Sequence, residues 1–290
     1  MHKVQRVRRS ARIYHWPIIL ANSTAMSLCV SSNLVGGITL GMSLSFLASS
    51  GFILNDLWDR RIDSANSAQR LEDADGTTCL FASLAGLLLA CLGLLVASRV
   101  APRALFIVAC IAAGLILYTV FLRKFLIVSN FLCALLGASP LWLPLLLWAR
   151  HPPAFEWGIV VAMVVMLFSR EVVHDIKDRA GDLTGKRVTL PVAFGTKVSR
   201  IIAFVLMIIG GTSLLFAIQA NGRQLSIVTN VMTYSCCVAL LALVLIPAVY
   251  LVLSHSLDRA VLRFISFSRC AMTVVPLLLF IEYLGSQGAL

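Results

Sequence analysis

Residues 79–98 read CLFASLAGLLLACLGLLVAS, twenty positions without one charged side chain. The run does not alternate polar and apolar residues, so it is not a half-buried strand. As a helix it is long enough to cross a hydrocarbon core of about 30 Å. Working outward on the same rule gives eight further spans, at about 13–33, 34–54, 102–122, 125–148, 157–170, 200–219, 226–253 and 264–284. The first two are separated only by Asn33 to Gly37, and the sixth is short before it meets Arg170 and Glu171. Pro17, Pro140, Pro144, Pro247 and Pro276 lie in or near spans, where they would kink them. Of the 290 residues, 59% are hydrophobic and 13% charged, against roughly 25% charged in ordinary soluble domains. That balance excludes disorder and argues against a soluble globular domain. A membrane β-barrel would need alternating segments of about 10 residues, which are not seen. The expected fold class is an all-α polytopic membrane protein with nine transmembrane helices, forming one domain over residues 1–290.

The net charge of +11 is unevenly placed along this topology. With the N-terminus inside, 20 of the 24 Lys and Arg residues fall on one side and four (Arg99, Arg103, Arg150, Arg223) on the other. The positive-inside rule then predicts a cytoplasmic N-terminus and an external C-terminus. The basic face is expected to meet anionic lipid; with no basic soluble domain, nucleic-acid binding is a poor reading. The N-terminal MHKVQRVRRSARIYHW leads into a span that is read as retained, not as a cleaved signal. All eight cysteines lie in or at the edge of apolar runs, with no CxxC and no Cys/His ligand spacing. They are read as small buried hydrophobes.

Ten of the thirteen acidic residues crowd into two loops on the predicted cytoplasmic side. The first, at about 55–78, contains NDLWDRRID at residues 55–63, followed by Glu72, Asp73 and Asp75. Asn55, Asp59 and Asp63 are four apart, and Asp56 is three before Asp59, so they share a helix face. The second, at about 171–197, places Glu171, Asp175, Asp178 and Asp182 on one face in the same way. Like charges so spaced destabilise a helix, and two such helices call for a compensating cation. Oxygen-only ligands select Mg²⁺ or Mn²⁺, and Mg²⁺ completes its shell with substrate phosphate. Arg70, Arg123, Lys124, Lys186 and Arg187 are on the same side and suit phosphate oxygens. The pattern suggests a lipid diphosphate held through Mg²⁺ at the membrane surface, with an allylic C–O bond ionising as the metal draws charge from the leaving group.

NDLWDRRID resembles the NDxxDxxxD motif of the UbiA-type intramembrane prenyltransferases. REVVHDIKDRAGDLTGKRVTLPVAFG, at residues 170–195, resembles their second motif, DxxDxxxD followed by GxxTLP. Motif order, separation and span count agree over essentially the whole chain. The resemblance implies nine helices around a central cavity with a cytoplasmic cap and a lateral opening to lipid. It implies Mg²⁺ between the motifs, a polyprenyl diphosphate donor, and a small-molecule or lipid acceptor. Carried over by position, Asn55, Asp56, Asp59 and Asp63 are the first-motif metal and diphosphate residues, and Asp175, Asp178 and Asp182 their second-motif counterparts. Tyr118, with Arg123 and Lys124, is similar to the family's Tyr…Lys segment after the fourth helix. Lys186 stands where a phosphate-contacting base is common. Asp59, Asp175 and Tyr118 are the expected catalytic residues. The second motif is most similar to the digeranylgeranylglyceryl phosphate synthase branch. After the first motif, Asn66 and Arg70 match the family's substrate-binding pattern, whereas Leu71-Glu72-Asp73-Ala74-Asp75-Gly76 replaces its usual Pro and Ser.

Further candidates stand singly. His174, beside Asp175, is a candidate acceptor ligand or base, and Asn22, inside the first span, a candidate cavity residue or interhelical bridge. Arg12 could approach an anionic acceptor or snorkel to the interface. The expected activity is Mg²⁺-dependent prenyl transfer to an aromatic or phosphorylated polar acceptor, with diphosphate release. Cyclisation of the prenyl diphosphate without an acceptor, kept open by the altered 71–76 loop, is one alternative. A divalent-cation or lipid-phosphate transporter is the other, although the acids avoid the middle of the spans, where transporters place theirs.

Overall fold

A computed structural model describes residues 2–60, 71, 74–122, 125–149, 154–219 and 226–289, and among these the chain is helical with no strand. The helices are α1 (His2–Ala11), α2 (Trp16–Ser31), α3 (Leu34–Trp58), α4 (Gly76–Ser98), α5 (Pro102–Val120), α6 (Val128–Gly137) and α7 (Ser139–Trp148). They continue as α8 (Ala154–Thr184), α9 (Leu190–Gln219), α10 (Ile227–Leu253) and α11 (Leu257–Ser286). Six of them (α3, α4, α5, α9, α10, α11) are long and apolar enough to cross a membrane. A seventh span results if α6 and α7, bent by 62° at their junction, are taken as one. The nine-span expectation is therefore met only in part. Helix α2 has only 16 residues, and α8 runs on through Glu171, Asp175, Asp178 and Asp182.

Sequence explains how α2 turns into α3. Ser32 leaves α2 with a left-handed backbone at φ 54. Asn33 then caps α3, its side-chain oxygen accepting from the Gly36 amide at 2.8 Å. The hairpin closes tightly because small residues line it. Ser23 donates to the Gly37 carbonyl at 3.0 Å and Ser27 to that of Asn33 at 2.6 Å. A side chain at Gly37 would stand 2.7 Å from Ser27 Cβ and 2.9 Å from Thr24 Cα. Such close approach is how helices associate where lipid supplies no hydrophobic drive. Ser43 on α3 likewise donates to the Gly93 carbonyl on α4.

Two cores follow. The larger joins α2, α7, α8, α9, α10 and α11 around Met26, Ile159, Met207, Leu240 and Phe264. The smaller joins α3, α4, α5 and α7 around Leu40, Val108 and Leu143. The outer surface is apolar instead of charged; on α4, Leu84, Leu87, Leu88 and Leu95 are all exposed, as a helix facing lipid requires. The cysteines correct the sequence expectation: Cys237 is buried, but Cys91, Cys110 and Cys270 are exposed on this outer surface. An apolar run in a membrane protein is satisfied by lipid as well as by protein.

The basic N-terminal stretch forms a helix that docks. Val7 and Ala11 of α1 pack with Ile53 near the C-terminal end of α3, Ala82 near the start of α4, and Leu71 from the segment between them. Arg200 on α9 donates to the Leu251, Val252 and Ser254 carbonyls and so caps the end of α10.

Candidate active site

The two acidic motifs end up on two elements, the last turn of α3 and the last third of α8. The end of α8 is a Schellman motif. The Arg187 amide bonds the Asp182 carbonyl at 2.9 Å and the Lys186 amide bonds that of Leu183 at 3.2 Å. Lys186 takes the left-handed backbone, φ 52, that such an ending needs. This turn folds Arg187 back over its own helix. Its guanidinium pairs with Asp59 of the first motif and lies 3.8 Å from Asp182 of the second. One side chain thus spans both motifs. Asp59 and Asp182 are buried, and Thr189, from the TLP segment, donates to Asp182 at 3.1 Å. Arg179 on α8 holds the Pro191 carbonyl at 3.1 Å, fixing the start of α9 against the site.

The remaining candidates divide. Asp56 is buried and accepts from Ser10 and Arg12, each at 2.9 Å, so α1 covers it. Asn55 has its side-chain oxygen buried without a hydrogen-bond partner among the described residues. Asp175 accepts from Asn130 on α6 at 2.7 Å. Burial raises its carboxyl well above the ordinary range, against the lowering effect of that hydrogen bond. His174 is held well below its ordinary range, first by burial and then by Arg170, Lys177, Arg12 and Arg269; it is neutral at physiological pH. Asp178 is half-exposed, with Lys177 3.9 Å away. Lys186 is exposed, and its neighbour Arg187 reaches the carboxylates. Tyr118 is half-buried near the end of α5. Asn22 is buried and donates back to the Ile18 carbonyl in its own helix at 2.8 Å; no interhelical bridge from it is found among the described residues. Asp63, Asn66, Arg70, Arg123 and Lys124 lie outside the described residues.

Sequence reasoning missed three contributors. Ser10 and Asn130 reach the acids only through tertiary packing, and their spacing from the motifs carries no periodic signal, while Thr189 stood in the TLP stretch of the second motif without being singled out. Arg187 was one of five basic candidates, and Gly185, the residue just after α8, was the signal that could have singled it out.

Among the described residues no three Asp, Glu, His or Cys side chains converge into a ready-made metal cage. The donor set still fits Mg²⁺, which commonly takes one or two protein carboxylates and completes its shell with water and substrate phosphate. Asp59 and Asp182 meet at one guanidinium, and the unpartnered Asn55 oxygen lies one helical turn before Asp59.

Residues 15–270 match the UbiA prenyltransferase family. A digeranylgeranylglyceryl phosphate synthase of Methanobrevibacter smithii is 28% identical over 186 residues, 58% of this chain and 62% of that protein. The Halobacterium salinarum enzyme of the same name is 29% identical over 148 residues, 51% of this chain and 52% of that protein. The matched region thus spans between half and two thirds of these curated relatives. Among solved structures, one of digeranylgeranylglyceryl phosphate synthase superposes with TM-score 0.68 at 18% identity, covering 98% of this chain and 99% of that one. A UbiA homolog from Archaeoglobus fulgidus bound to GPP and Mg²⁺ gives TM-score 0.64 at 14% identity, covering 94% and 99%. At these identities the likeness establishes a shared fold. Taken with the family match over most of its length, it means that the chain belongs to the UbiA prenyltransferase family.

Proposed function

We propose that the protein is a membrane prenyltransferase that moves a polyprenyl group from an allylic diphosphate to an acceptor in the bilayer. The observation that carries this reading is the convergence of Asp59 and Asp182, from separate motifs, on Arg187. Asp59, Asp182 and Asn55 would hold Mg²⁺, with Asp63, Asp175 and Asp178 completing the acidic rim. When bound, the metal offsets the negative charge that builds on the departing diphosphate. Arg187, which pairs with Asp59 and lies near Asp182, trades these carboxylates for diphosphate oxygens, and Lys186, Arg123, Lys124, Asn66 and Arg70 supply further donors. Tyr118 orients the donor. The C–O bond breaks with its electron pair leaving on diphosphate, the acceptor's nucleophile bonds to the allylic carbon, and the acceptor proton is lost. That proton passes to the departing diphosphate or to water, because His174, held well below its ordinary range, is a weak base.

The curated relatives are synthases that build a lipid phosphate, which favours transfer over cyclisation. The full nine-helix arrangement around a central chamber, with α2 and α8 as spans and the motifs on the cytoplasmic side, belongs to the same reading. Purified protein with Mg²⁺ and geranylgeranyl diphosphate should release diphosphate only when an acceptor is added. Diphosphate and a hydrocarbon without acceptor would indicate cyclisation, and no release with any prenyl donor would refute both.

A further inference from the structure

Helix α1 has two unlike faces. Its sequence carries Lys3, Arg6, Arg8 and Arg9 and no acidic residue. Val7, Ser10 and Ala11, spaced three and four apart, form a buried face. Ser10 Oγ donates to Asp56 Oδ2 and Arg12 Nη2 to Asp56 Oδ1, each at 2.9 Å, so both oxygens of that carboxylate are engaged. Asp56 is 1% exposed. It follows Asn55 directly and stands three residues before Asp59, so whatever holds it also fixes the first acidic motif at the end of α3. The other face of α1 is exposed at Val4, Gln5, Arg8 and Arg9. The helix does not run on into α2. Arg12 takes a left-handed backbone, φ 49, and turns the chain before Trp16, whose indole donates to Ser49 of α3 at 2.8 Å.

A helix of ten residues is marginal by itself in water, and the buried face of α1 offers two apolar side chains, Val7 and Ala11. Contacts on the outer face therefore weigh on whether it stays docked. The surroundings of that face point to lipid. Through Ala82, α1 packs beside the start of α4, where Leu80 and Phe81 are exposed. Val4, Ile13 and Tyr14 are exposed as well. Basic side chains mixed with apolar ones mark a helix that lies in the headgroup layer, and a helix with four cations and no acid is matched in charge by an anionic leaflet. We propose that α1 is a membrane-surface strap: its outer face binds anionic lipid headgroups, and its inner face, through Ser10 and Arg12, holds Asp56 and with it the first acidic motif. Ser10 and Arg12 are then positioning residues that act through Asp56. Lipid binding by α1 stands on the geometry of the helix alone, whereas its effect on the donor rests on the prenyltransferase reading.

The test places the full chain in nanodiscs of phosphatidylcholine, with or without phosphatidylglycerol as a third of the lipid. Amide hydrogen exchange across residues 4–11 is followed by mass spectrometry without donor. Each basic side chain near an anionic leaflet strengthens attachment roughly fivefold, so with Arg8 and Arg9 exposed the anionic discs should slow this exchange at least tenfold. High salt should remove the difference. The double variant Arg8→Gln, Arg9→Gln should exchange alike in both discs, whereas Arg259→Gln, exposed on α11, should behave as wild type. Equal exchange of the wild-type chain in the two discs, or an unchanged lipid dependence in the double variant, would overturn the strap. In the same discs, Mg²⁺-dependent affinity for a prenyl thiodiphosphate should be at least fivefold higher with phosphatidylglycerol, although the lipid repels that ligand. Ser10→Ala should lose this gain and Ser10→Thr should keep it. A gain that persists in Ser10→Ala would overturn the route through Asp56. Lipid-dependent exchange with no thiodiphosphate binding in either disc would uphold the lipid-binding face and refute the donor reading instead.

Discussion

Arg187 stands at the second position beyond the end of α8, where the Schellman hydrogen bonds turn the chain and send its side chain to Asp59 and Asp182. In the proposed reaction it neutralises diphosphate charge in a largely buried setting. Arg187→Gln is therefore expected to lower kcat/KM for diphosphate release about 100-fold, as loss of a preorganised charge-stabilising donor commonly does. Arg187→Lys should recover only part of this, because a point charge cannot reach both motifs with a planar fork; a change within threefold in the Gln variant would contradict the role. Asp175 supplies a pH prediction. Burial raises its carboxyl and the Asn130 amide opposes that rise. A metal-facing carboxylate must lose its proton to bind, so activity should fall on the acid side of neutrality. Asn130→Ala removes the hydrogen bond that favours the charged form, so the acid limb of the pH–rate profile should move to higher pH. An unmoved limb would take Asp175 out of the metal site. The acids themselves were legible, because their three- and four-residue spacing has a local cause. Asn130 was not, because it meets Asp175 across 45 residues of chain.

Among the helices, six of the nine expected hydrophobic runs, and a seventh if α6 and α7 are joined, were legible as spans because length and lack of charge are set by the bilayer. What those helices do at their ends was not. The basic N-terminus read as a topology signal; it is also a docked helix whose Ser10, with Arg12 just beyond it, covers Asp56. The single run at 125–148 is two helices, α6 and α7, meeting at Ala138 with a 62° bend. The weak boundary between the first two spans is a capped turn in a tightly closed hairpin, and that closure is testable. Gly37→Val would drive a branched side chain into Ser27 and the Thr24 backbone, an overpacking cost of roughly 1–3 kcal/mol. The variant should melt at lower temperature in detergent while the folded fraction keeps its affinity for prenyl diphosphate. An unchanged melting temperature would mean that α2 and α3 are less closely packed than described.

For the molecule as a whole, the family and the fold agree, and the charge asymmetry predicts an orientation. A chain fused at its C-terminus to alkaline phosphatase should show enzyme activity outside the cytoplasmic membrane, and the same fusion to green fluorescent protein should be dark. The reverse pattern would invert the topology and place both motifs outside. The account depends most on the two motifs acting as one donor site. The direct measurement is Mg²⁺-dependent binding of a non-reactive prenyl thiodiphosphate to wild type, Asp59→Asn, Asp182→Asn and the double variant. Each single substitution should abolish the Mg²⁺-dependent gain in affinity, and the double variant should lose no more than either one. Retention of that gain in either single variant, or losses that simply add, would mean that the carboxylates serve separate sites.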